Sequence, residues 1–172
     1  AHSREELSKF KRISDQYHFR KQVVIEELKK RNIPLDFDAV IGRGGLAKPV
    51  SSGVFTITKQ MIIDQQRAIH QHACDLGCMI ADEIAQDIPN CKSFIADPGV
   101  VDEMEPEARL SGSPLMPRMC IWHALNQKAI GRRFAKDMGT SYDKLNLIIC
   151  HLGGGISIAA HSHGRAIDAN NA

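Results

Sequence analysis

Apolar and polar positions fall into two rhythms along this chain. Residues 145–150 (LNLIIC) form an apolar run of the length a buried strand needs. The run breaks at His151-Leu152-Gly153-Gly154-Gly155 and resumes over 156–160, where Ile156 and Ile158 alternate with Ser157. A turn over 161–164, containing His161 and His163, leads into a third strand over 165–170. The three glycines therefore join strand to strand. A dinucleotide fingerprint or a P-loop instead needs a helix after its glycines, and the Lys-Ser/Thr pair of a P-loop is absent. Two uses remain open for this turn. It is a tight or bulged hairpin, or its bare backbone N–H groups close around an anion with His151 at the mouth.

Upstream, the same rhythms predict helices and short strands in turn. Ser3 and Glu6 form a capping box for a helix to about residue 10. A longer helix over 14–30 carries Tyr17, Val24 and Leu28 on one stripe, and Asn32-Ile33-Pro34 ends it. Residues 38–42 read as a buried strand, 54–58 as a short one and 92–96 as another buried one. Helices are predicted over 61–69, 74–86 and 119–138, with Gly139 as the last helix's C-cap. Interleaved strands and helices make the class α/β. Three apolar strands run into a polar group beside a turn: Arg43, Asp97 and His151. Ligands gather at the carboxyl ends of strands in such sheets.

Each of these residues has two readings. Arg43, among Gly42, Gly44 and Gly45, grips a carboxylate or phosphate with two parallel bonds, or forms a surface salt bridge. Asp97, in FIADPG, holds a metal through water or orients a nucleophile, or it is an Asx-turn residue. His123, near a helix start where the dipole favours the neutral ring, stabilises a transferring anion, or is a half-buried structural residue. His72, Cys74 and Cys78 lack the second ligand cluster of a structural zinc site. No cysteine has an activating neighbour, and no Gly-x-Ser-x-Gly elbow exists.

Composition narrows the picture further. The 172 residues are 43% hydrophobic and 24% charged, enough for a sizeable core. A net charge of +2 and 5% aromatics argue against nucleic acid or an anionic membrane as partner. No apolar run has transmembrane length, and AHSREELSKFKR is not a signal peptide. Five cysteines, an odd number, suggest reduced thiols in a cytoplasm.

The segments AVIGRGGLAKPV (39–50), FIADPGVVDE (94–103), ARLSGSP (108–114), IWHALNQKAIGRRFAK (121–136) and CHLGGGISIAAHSHGRAIDANNA (150–172) together resemble the butyrate kinases. These lie in the acetate kinase branch of the sugar kinase/Hsp70/actin superfamily. The resemblance implies part of a ribonuclease H-like fold, with a mixed sheet flanked by helices. It implies ATP- and Mg2+-dependent phosphorylation of a short-chain carboxylate to an acyl phosphate, reversibly, by a cytoplasmic homo-oligomer. By matching position, Arg43 binds substrate or phosphate, Asp97 is the active-site acid near magnesium, and His123 stabilises the transferred phosphoryl group. His151 with Gly153, Gly154 and Gly155 matches the ATP phosphate loop. The chain reads as a central fragment: most of a first, carboxylate-binding domain, and from about residue 143 the start of an ATP-binding one. The family's first phosphate hairpin and most of its second domain fall outside it. The alternative is a non-catalytic or oligomerisation module of the same fold.

Overall fold

The computed structural model describes residues 2–45, 48–67 and 72–170. They divide into two units: Ala1–Ala47 with Val54–Ile95, and Lys48–Gly53 with Ala96–Ala172.

In the first unit, helix α1 (Arg4–Ser8) starts at the expected capping box, with Ser3 N–H donating to Glu6 Oε2 (2.8 Å) and Glu6 N–H to Ser3 Oγ (3.1 Å). A 3-10 turn (Ser14–Gln16) leads into α2 (Tyr17–Lys30), which contains no fully buried residue. Its half-buried face runs through Tyr17, Lys21, Ile25 and Leu28, whereas Val24 is exposed. Tyr17 and Leu28 of the predicted stripe are thus half-buried and Val24 is not, and Lys21 reaches Glu83 at 2.7 Å. Strand β1 (Ala39–Gly42) pairs in parallel with β3 (Lys92–Ala96), and β2 (Val54–Thr56) lies on the other side of β3. As an outer strand, β1 is not buried as predicted: Ile41 is 58% exposed. Helices α3 (Lys59–Gln66) and α4 (Asp75–Gln86) follow, Thr58 Oγ1 capping the first. The predicted extension of α3 to Ile69 lies outside the described residues. Ile57, Cys78, Ala81 and Ile95 form the core, with Val40, Phe55, Met61 and Ile62 packed on it. Gly42 lets β1 approach α4, since a Cβ there would collide with the Gly77 carbonyl.

In the second unit, Val50 bridges Val101 in parallel, and a 3-10 turn (Glu107–Arg109) is tied down by the Arg109 guanidinium, which grips Asp102 through two bonds of 2.9 and 2.7 Å. That grip holds the Asp102 carboxyl below its usual range. Helix α5 spans Ala124–Asp137 and starts later than predicted. Residues 119–123 stay outside it because their backbone serves elsewhere: Trp122 N–H donates to Gly99 O at 3.0 Å. The helix closes in a Schellman motif, Gly139 (φ 68°) donating to Lys136 O and Thr140 to Ala135 O. After a 3-10 turn (Tyr142–Lys144), strands β4 (Asn146–Leu152), β5 (Ile156–Ser162) and β6 (Arg165–Ala169) form an antiparallel sheet in sequence order. Trp122, 1% exposed, centres the core with Val101, Met104, Cys120, Ala124, Ala159, Ala166 and Ala169, and its Nε1–H donates to Val101 O at 2.8 Å.

Two expectations change here. The hairpin strands β4 and β5 are exposed at alternate residues: Ile156 and Ile158 face outward, and Ser157, Ala159 and His161 are the buried positions. His161 is therefore a strand residue, 2% exposed, and not part of a turn. The turn itself is His163-Gly164, both at positive φ (50° and 83°), as a two-residue hairpin turn of the primed type requires.

Candidate functional site

The N-terminus of α5 meets the end of the β4–β5 hairpin through one buried serine. Ser157, fully buried, accepts from the backbone N–H of His123 (3.2 Å) and from Gln127 Nε2 (2.9 Å), and its Oγ lies 2.7 Å from His123 Nδ1. Gln127 Nε2 also donates to the Ser157 carbonyl at 3.0 Å. His123 is thereby fixed as the N-cap residue of α5. On β4, His151 pairs with Ser157 across the ladder, and its Nδ1 is 2.8 Å from Asn126 Nδ2. The two imidazoles stack face to face, 3.7 Å between centroids and 5° from parallel.

The glycine turn closes over these rings. A Cβ on Gly153 would sit 3.0 Å from His151 Nε2, and one on Gly155 would sit 3.2 Å from His123 Nε2. Gly154 has open space where its side chain would be. None of the three has a positive φ, so glycine is needed for room and not for a left-handed backbone. Gly153 N–H donates to Gly155 O at 3.1 Å, within the turn. The start of this 14-residue helix makes the corner beside the two imidazoles locally positive, since a helix N-terminus carries about half a positive charge.

Asp97 is in the same unit. It is 4% exposed and has φ 36°, a conformation that Asp tolerates better than most residues. Its carboxylate is held by residues distant in sequence. Oδ1 accepts from Ser52 Oγ (2.6 Å) and from Gly53 N–H (2.9 Å), while Oδ2 lies 3.5 Å from Arg132 Nη1 of α5. Gly99, two residues on, is bonded to Trp122, the residue before His123. Arg43 belongs to the first unit, exposed directly after β1, with Gly44 and Gly45 buried behind it. Of the sequence candidates, the structure thus assembles His123, His151, Gly153 and Gly155, and ties Asp97 to α5 through Arg132.

Three of the cysteines, Cys74, Cys78 and Cys120, are poor nucleophiles. Burial pushes the thiols of Cys74, Cys78 and Cys120 up to about 11, and all five cysteines are unbridged. Sequence reasoning missed Ser52, Asn126, Gln127, Arg132 and Ser157. Asn126 and Gln127 had a signal: they follow His123 by three and four residues, on its own helix face. Ser52 and Ser157 had none, because only folding brings them to their partners. For magnesium, the chain offers Asp97 Oδ2, and no group of three His, Cys, Asp or Glu side chains placed to hold a metal ion occurs among the described residues. One carboxylate oxygen fits magnesium, which keeps most of its waters and binds phosphates, better than it fits an all-protein metal cage.

Residues 118–171 match the acetokinase family model. The chain is 61% identical to a probable butyrate kinase of Bacteroides thetaiotaomicron over 99% of its own length and 48% of that protein's. It is 48% identical to butyrate kinase 1 of Clostridium acetobutylicum, with the same two coverages. Among solved structures, the acetate kinase of Porphyromonas gingivalis matches with a TM-score of 0.61 at 23% identity, over 77% of this chain and 36% of that one. A propionate kinase from Francisella tularensis matches with a TM-score of 0.63 at 19% identity, over 86% and 40%. The chain spans about half the length of the butyrate kinases it matches. Along 99% of its length it is similar to butyrate kinases, and its fold is that of the acetate and propionate kinases.

Proposed function

We propose that this chain is part of an ATP-dependent carboxylate kinase that converts butyrate and ATP reversibly to butyryl phosphate and ADP. The observation that carries the reading is the pair of stacked imidazoles, His123 and His151, set against the glycine turn at the start of α5. Similarity to butyrate kinases over 99% of the chain supports it. The chemistry suits such groups. A carboxylate is already ionised at neutral pH, so the nucleophile needs no strong base. The task is to hold two anions in line and to neutralise charge spread over the transferred phosphoryl group, which donors and cations fixed in advance do well.

In this reading Arg43 binds the carboxylate or the transferred phosphate through its guanidinium. His123 donates to the phosphoryl oxygens. His151 with Gly153, Gly154 and Gly155 holds ATP phosphates, in an ATP-binding domain that begins near residue 143. Asp97 would hold magnesium, which, when bound with ATP, would neutralise phosphate charge. Ser52 and Gly53 keep the Asp97 carboxylate in place for that role. In this reading the protein is a cytoplasmic homo-oligomer. No helix among the described residues is long and apolar enough to cross a membrane.

The test is a panel of short straight and branched carboxylates, with ATP and magnesium, on a full-length protein containing this chain. Acyl phosphate formation, best with four-carbon acids, is expected. One methylene is worth only about 1–3 kcal/mol, so neighbouring acids are expected to react more slowly and not to be excluded. The 172 residues alone are expected to give no turnover, and acyl phosphate made by the isolated chain would contradict that.

A further inference from the structure

Behind His123 the hydrogen bonds continue into the second unit. Gln127 Oε1 lies 2.9 Å from His161 Nε2, and His161 Nδ1 lies 2.5 Å from the Tyr142 hydroxyl. All four residues behind His123 are buried: Ser157 and Gln127 fully, His161 2% exposed and Tyr142 9% exposed.

Donor and acceptor capacities fix the direction of every bond. A carbonyl only accepts, so the Gln127 group facing the Ser157 carbonyl is its NH2, and the Gln127 oxygen faces His161. That oxygen only accepts, so His161 carries its proton on Nε2. Burial, then the nearby Lys128, holds the His161 ring down to about 4, so it is neutral and its Nδ1 accepts from the Tyr142 hydroxyl. Burial likewise pushes Tyr142 up to about 12, so that hydroxyl keeps its proton. At the other end, both lone pairs of Ser157 Oγ are taken, by His123 N–H and Gln127 NH2. The Ser157 proton is then directed at the remaining neighbour, His123 Nδ1.

We propose that Tyr142, His161, Gln127 and Ser157 are positioning residues, a one-way chain of hydrogen bonds that holds His123 as the neutral tautomer with its proton on Nε2. Nε2 belongs to the ring edge that lies against Gly155, so the chain determines which atom of His123 is presented at the glycine turn, and as a donor. The value of that donor to phosphoryl transfer rests on the reading above; the tautomer does not.

Histidine 15N correlation spectra of this chain at neutral pH test the proposal. His123 is expected to be neutral, protonated on Nε2, with a hydrogen-bonded Nδ1. In Ser157→Ala the preference for that tautomer is expected to fall about tenfold, the worth of one such bond. Should Ser157→Ala not fold, Gln127→Met, which keeps the side-chain length and loses only the amide, is expected to loosen the tautomer in the same direction. A wild-type His123 protonated on Nδ1 overturns the proposal, as does a tautomer unmoved in whichever variant folds. In the full-length protein, Ser157→Ala is expected to lower kcat about tenfold with little change in the KM for butyrate, as for a group acting in the transition state. A full-length protein that makes no acyl phosphate while His123 shows the expected tautomer sinks the kinase reading and supports the chain of bonds. Acyl phosphate formation with the wrong tautomer does the reverse.

Discussion

His123 has one ring nitrogen committed to Ser157 and the other edge of the ring set against a glycine, so its chemistry is directional. Its helix-start position was legible in the sequence, but its partners were not. The Ser157 hydroxyl reaches it only after the hairpin folds back on α5, and the Gln127 amide acts on it through Ser157. Because, on the proposed reading, His123 donates to the transferred phosphoryl group and such a donor counts most in the transition state, His123→Ala in the full-length protein is expected to lower kcat by about 100-fold and to change the KM for the carboxylate far less. Steady-state kinetics check this, and a defect confined to KM would contradict the assigned role. Arg43→Ala is expected to raise the KM for the carboxylate and to lower kcat as well, with the melting temperature almost unchanged because Arg43 is exposed. Near-normal turnover in that variant would remove Arg43 from the site.

At the scale of elements, α4, β3, the end of α5 and the glycine hairpin were readable because capping, glycine placement and period speak locally. The phase of the hairpin was not. Isoleucines at 156 and 158 suggest the inward face, yet Ser157, Ala159 and His161 fill it. Ala159 packs there in the Trp122 core, and Ser157 and His161 are hydrogen-bonded to Gln127. That inversion also hid His161, whose misreading as a turn residue follows from its polar neighbours and from the bulge between Ala160 and His161. A buried neutral histidine has a consequence for stability. Its folded pKa near 4 lies below its ordinary 6.5, so between those values the unfolded chain binds the extra proton. The contribution is complete above about pH 6.5 and is lost as pH falls toward 4, by about 3 kcal/mol in all. Thermal melts at pH 7.5 and 5 are expected to show the loss, and His161→Gln to flatten it. Equal slopes in the two proteins would contradict the assignment.

Over the whole molecule, the α/β class was plain from alternation, while the division of strands into two three-stranded sheets was not. The second unit has its own electrostatic anchor. Lys128, 1% exposed on α5, reaches Glu103 at 2.8 Å and the Gly164 carbonyl at 3.0 Å, tying the helix to the β5–β6 turn. Lys128→Met leaves Glu103 without its cation and is expected to destabilise the chain by about 3 kcal/mol, read as a lower urea midpoint. A loss below about 1 kcal/mol would mean that the pair is solvated like a surface one. The measurement that bears most directly on function is acyl phosphate formation from butyrate, ATP and magnesium by the full-length protein, run beside its His123→Ala variant. The account predicts butyryl phosphate from the first and a loss of about two orders of magnitude in the second. No acyl phosphate from any short carboxylate, or equal rates from both proteins, would contradict it.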